Sequence, residues 1–168
     1  NHGLWRNKLC FIGDDEDGNL FMRQANNLAQ QVEDNNSGFV LKKIMLDAYQ
    51  QETTSSQESY PEATRELNDL VQNGVLMVNY VGHGAEDKLA EENLLTMSDI
   101  RSYTNNDRLT IFITATCEFS RFDDYRRASA GEEALLNANG GAAALFSTTR
   151  LVWAGQNYLL NQKFINHV

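Results

Sequence analysis

Two short apolar runs, each stopped abruptly by a residue able to do chemistry, constrain this chain more than any other feature. Val75–Val81 (VLMVNYV) ends at Gly82-His83-Gly84, and Leu109–Thr116 (LTIFITAT) ends at Cys117. Both are rich in β-branched and aromatic residues and apolar at nearly every position, the pattern of strands buried on both faces. Between them Met97–Tyr103 (MSDIRSY) has a helix-like pattern, so the whole reads as a βαβ unit with parallel strands. In an open parallel sheet, reactive groups collect just beyond the carboxyl ends of strands. Here one such end carries an imidazole and a neighbouring one a thiol, the arrangement of a cysteine nucleophile with its general base.

Composition narrows the class. A chain of 168 residues suits one domain with a substantial core. A formal charge of −9 argues against a nucleic-acid or anionic-membrane partner. No apolar run approaches the roughly 20 residues of a membrane-spanning helix, and no signal peptide is visible. The first residue is Asn1 rather than methionine, so the chain is expected to be a processed product or a piece of a longer parent. Two cysteines make no disulfide framework: Cys10, inside an apolar run, reads as core, and Cys117, at a strand end, as functional.

Lys8–Ile12 reads as a first buried strand, followed by the acidic loop Gly13–Asn19 with Asp14, Asp15, Glu16 and Asp17. Such a cluster is a solvated loop before a helix N-terminus, a calcium or magnesium site, or part of a catalytic group; the spacing does not fit an EF-hand. Helical spacing marks Leu20–Asn35, and Phe39–Tyr49 reads as a strand whose Lys42 and Lys43 suit an edge. Gln50–Ser59 is polar and aperiodic and is expected to be a mobile surface loop. Pro61 opens a helix over about 62–72, closed by Gly74 as a left-handed cap. Phe119 and Phe122 read as packing residues or, beside the nucleophile, as an aromatic wall for substrate. Ser129 caps a helix over 130–139, Ala142–Phe146 is a fifth strand, Ser147–Trp153 a loop at the same carboxyl edge, and Gly155–Val168 a last helix.

The wording NYVGHG (Asn79–Gly84) and TATCEFSRFDD (Thr114–Asp124) resembles the gingipain-like cysteine peptidases of the caspase-like clan, and within them the sortases of the type IX secretion system. The resemblance runs from Phe11 to Trp153. It implies an α/β fold, a caspase/gingipain-like three-layer sandwich with a largely parallel sheet and helices on both faces, forming a single catalytic subdomain over 1–168 that continues in its parent. Cys117 is then the nucleophile, His83 the general base and acid, and the N–H groups of Gly84 and Cys117 the oxyanion donors. An acid after the first strand lies beside the histidine in this family; Asp15 is the nearest match by position, with Asp14 or Asp17 the alternatives. The loop before Trp153 forms a pocket wall, so Trp153, with Thr116 and Thr149, is a candidate substrate contact. Trp153 reads equally well as a partly exposed core residue.

The partners implied are protein or peptide substrates, namely the C-terminal sorting domains of secreted cargo, together with other secretion components at the outer membrane or cell surface. Sorting-domain removal is joined in that group by transfer to a surface glycolipid amine. No cofactor is required, and calcium, common in the family, is left unplaced. Two rivals differ in class. A phospho-receiver domain needs an aspartate after strand three and a lysine after strand five, where this chain has NYVGHG and STTR. A catalytically idle scaffold with the same fold would have little reason to keep both His83 and Cys117.

Overall fold

The computed structural model describes residues 3–55 and 57–167. In chain order the elements are β1 (Lys8–Gly13), α1 (Glu16–Asn35), β2 (Val40–Met45), β3 (Glu52–Thr53), β4 (Glu58–Ser59), α2 (Pro61–Asn73), β5 (Met77–Val81), β6 (Lys88–Leu89), β7 (Leu95–Thr96), α3 (Met97–Ser102), β8 (Thr110–Ala115), α4 (Ala130–Leu136), β9 (Ala142–Ser147) and α5 (Ala154–Ile165). Five strands form one parallel sheet in the order β2-β1-β5-β8-β9. The expected α/β sandwich, with a parallel sheet and helices on both faces, is what forms.

Side-chain alternation sorts the two faces. Leu9, Phe11, Met77, Val81 and Ile113 pack on Phe21, Ala25, Leu28 and Val32 of α1 and on Ile165 of α5. Cys10, Ile12, Val78, Tyr80 and Phe112 pack on Ala63, Leu67 and Val71 of α2, Ile100 of α3 and Ala134 of α4. All five residues of β5 are buried, as a strand covered on both faces requires. β2 is an edge strand, and its Lys42 reaches Glu66 of α2.

Local chemistry explains the helix starts. Thr96 and Asp99 form a reciprocal capping box on α3, and Ser129 with Glu132 forms another on α4, satisfying N–H groups that a helix start leaves bare. At the start of α1, Asp17, Gly18 and Asn19 have φ of 54°, 59° and 64°, so regular helix begins at Leu20, where the apolar periodicity begins.

Several expectations need correction. Gln50–Ser59 is no plain loop: β3 and β4 pair as a short antiparallel hairpin, with Ser56 outside the described residues. β2 ends at Met45, and Leu46–Ala48 turn as 3-10 helix. α4 ends at Leu136, three residues early, and α5 at Ile165, with Val168 outside the described residues. Gly74 has φ 99° and ψ 122°, a positive-φ residue that turns the chain straight into extended backbone rather than a left-handed helical cap. Phe119 is buried, but Phe122 is exposed.

Candidate active site

β5 and β8 are hydrogen-bonded neighbours, and Val81 pairs with Ala115 at their carboxyl ends. His83 and Cys117 each stand two residues beyond that pair, and the Gly82 N–H still donates to Ala115 O at 3.3 Å. The imidazole and the thiol therefore leave the same edge of the sheet from adjacent strands. β1 ends beside them: the Asp14 N–H donates to Val81 O at 3.1 Å.

Asp14 is the acid that meets the histidine. Its Oδ2 accepts from the His83 backbone N–H at 2.8 Å and lies 3.2 Å from His83 Nδ1. The Tyr80 hydroxyl donates to His83 O at 2.6 Å, and the His83 ring sits edge-on to Phe21 with centroids 5.1 Å apart. Backbone and ring are thus both held. Nε2 faces the exposed carboxylate of Asp17 at 3.8 Å. Asp14 itself is fully buried, and burial pushes its carboxyl above the usual range, opposed by the hydrogen bonds from His83.

Asp15, the acid favoured by position, does not touch His83. Its Oδ2 accepts from the Tyr60 hydroxyl at 2.6 Å. Asp14 is still paired to β5 and continues the face of Cys10 and Ile12. Asp15, with φ −84° and ψ −10°, has already turned towards α1, so its side chain leaves in another direction.

The glycines flanking His83 are there for closeness. A Cβ on Gly82 would lie 2.3 Å from Asp14 Cβ and 2.5 Å from the Tyr80 hydroxyl. A Cβ on Gly84 would lie 2.5 Å from Thr116 Oγ1, so it is a side chain of β8's own extension, rather than open space, that crowds Gly84. The ribbon bonds here run from Ala85 N–H to Lys88 O and from Ala90 N–H to His83 O, leaving the Gly84 N–H outside the pairing.

Around Cys117 the thiol lies 3.8 Å from Val152 O, in the loop between β9 and α5. Glu118, next in the chain, holds φ at 52°, and its carboxylate is met by Arg121 at 3.3 Å. The Glu118 charge beside the thiol is therefore only partly compensated, since Arg121 also binds Glu86. Thr116 is buried with its Oγ1 lacking a hydrogen-bond partner, which removes it from an open substrate surface. Thr149 is half-buried, and Trp153 is 80% exposed at the start of α5, hence not a core residue. Cys10 is fully buried, and desolvation drives its thiol far up from the ordinary range.

An acid-anchored histidine and a cysteine thus leave adjacent strand ends of one parallel sheet, the arrangement that a cysteine-peptidase fold requires. The chain belongs to peptidase family C25, the gingipain family, which matches it over residues 1–168. Three solved structures share its fold. The complex of the Porphyromonas gingivalis RgpB pro- and mature domains is 16% identical with a TM-score of 0.74, covering 97% of this chain and 37% of that one. The Arg-specific cysteine proteinase gingipain R is 20% identical with a TM-score of 0.67, covering 98% and 38%. A structure described only as a protease is 20% identical with a TM-score of 0.71, covering 94% and 32%. The chain thus spans about a third of the length of these solved relatives. No curated protein matches it.

Proposed function

We propose that the chain carries the catalytic centre of a cysteine endopeptidase, with Cys117 as nucleophile, His83 as general base and acid, and Asp14 as the group that orients His83. The supporting observation is the double contact of Asp14 with the His83 backbone and ring, at the sheet edge where Cys117 also emerges. A carboxylate on Nδ1 keeps the proton there and leaves Nε2 to accept one. Nε2 takes the thiol proton as Sγ bonds to the substrate carbonyl carbon. The Gly84 and Cys117 N–H groups receive the oxyanion. The C–N bond then breaks, the amine leaves with the proton from Nε2, and a thioester remains. Water yields an acid and free thiol; an amine yields a new amide.

That second route is the sortase reaction. The motif wording favours a PorU-like sortase that removes C-terminal sorting domains from type IX secretion cargo at the cell surface and transfers the new end to a glycolipid amine. The other reading is a catalytically idle scaffold in a secretion complex. The position of the Cys117 thiol, against Val152 O rather than on His83, favours it.

Cleavage by the parent separates the two, and alkylation tests the thiol assignments. Iodoacetamide should add mass at Cys117 of the folded protein well before Cys10, because burial disfavours the Cys10 thiolate. Cys117→Ala in the full-length parent should abolish cleavage of cargo. Cleavage retained by that variant would discard the mechanism, and acid products alone in the presence of an amine acceptor would discard the sortase step.

A further inference from the structure

We propose that Asp14, Asp15 and Glu92 bind a calcium ion immediately behind the histidine. One oxygen from each carboxylate lies within 4.8 Å of one from each of the others. Asp14 is 0% exposed and Glu92 3%, so at least two of the three charges are removed from water. Each carboxylate also keeps one buried oxygen with no hydrogen-bond partner: Asp14 Oδ1, Asp15 Oδ1 and Glu92 Oε2. These three orphaned oxygens all belong to the converging residues.

Buried carboxylates are ordinarily paired, hydrogen-bonded or metal-bound, because each unpaired buried charge costs several kcal/mol in effect. Among the described residues no lysine or arginine pairs with any of the three, and the one basic group on Asp14 is His83. Glu16 stands near enough to all three to add to the negative field. A hard dication is the partner such an oxygen-only set selects. Oxygens up to 4.8 Å apart fit round calcium, whose opposite ligands lie about 4.6–5.2 Å apart, more readily than round magnesium at about 4.0–4.2 Å. Backbone carbonyls and water would complete the coordination.

Asp14 connects the ion to the catalytic centre. Its Oδ2 is committed to His83 and its free Oδ1 to the cation, so the ion fixes the carboxylate that fixes the imidazole. Ion binding itself does not depend on the peptidase reading.

The test is calcium calorimetry on the full-length protein stripped with chelator, comparing wild type with Glu92→Gln and Asp15→Asn. The expected result is saturable binding tighter than about 1 mM, with one equivalent lost or weakened at least tenfold in both variants. A second readout uses terbium, whose emission should be sensitised by Tyr60 and Tyr80, the hydroxyls on Asp15 and Asp14. That emission should be displaced by calcium and reduced in Tyr60→Phe, which keeps all three carboxylates. Absence of saturable binding, binding indifferent to both carboxylate variants, or a preference for magnesium would each overturn the proposal. Because the titration reads binding alone, such a failure leaves the cysteine mechanism standing, and loss of that mechanism leaves the site standing.

Discussion

Asn79 in the middle of β5 and Asn161 of α5 exchange two amide hydrogen bonds, at 2.7 and 2.9 Å, in the buried layer between sheet and helix. They are a polar rivet among the apolar side chains of that face. α5 follows directly on the loop whose Val152 O contacts the Cys117 thiol, so the pair also fixes the wall beside the nucleophile.

Asn161→Ala should therefore destabilise the protein by about 2–4 kcal/mol, since it empties space and leaves the Asn79 amide buried without a partner. Replacing both by leucine should recover much of that loss, because two apolar groups leave no unpaired amide. Urea denaturation of the two single variants and the double variant measures it; equal stability of Asn161→Ala and wild type would show the pair to be idle.

The two neighbouring acids should separate in catalysis. Asp14→Asn replaces the acceptor on His83 Nδ1 with a group that can hold the wrong tautomer, so kcat should fall by roughly 100-fold or more. The loss for Asp15→Asn should be at least tenfold smaller, because Asp15 meets Tyr60 rather than the imidazole. Steady-state kinetics on the parent enzyme decides; a larger loss for Asp15→Asn would restore the positional match.

Gly82→Ala should be harmful for reasons of space. The new methyl would lie 2.3 Å from Asp14 Cβ, so either the His-Gly turn or the Asp14 carboxylate must move. A stability loss of about 1–3 kcal/mol is expected from such overpacking. Turnover should drop as well, as Asp14 leaves His83. Thermal melts and activity should change together, and a variant with wild-type values of both would contradict the close approach.

Trp153→Ala should leave stability nearly unchanged, because the ring is 80% exposed and buries little apolar area. Its effect should lie in KM if the ring walls the pocket, with kcat retained. A fall in melting temperature without a change in KM would make Trp153 a structural residue instead.

Much of the site's outline was legible in the chain. Val75–Val81 and Leu109–Thr116, apolar at nearly every position, read as strands covered on both faces, and their abrupt ends put His83 and Cys117 beyond β5 and β8. Lys42 and Lys43 marked the edge strand for the same reason, since a central strand has no room for them. Those statements follow from solvation and repeat every two residues along the strand, so a linear reading reaches them.

What the sequence could not choose was direction. Asp14 and Asp15 are chemically identical neighbours at the point where strand pairing stops, and only the last hydrogen bond to Val81 sends one to His83 and the other to Tyr60. Glu92 gave no signal at all in an acidic loop, yet the turn after β6 buries it against both aspartates. Hydrophobic patterning acts through a residue's neighbours in the chain, whereas the meeting of carboxylates is set by how separate strand ends pack, and only the tertiary structure decides that.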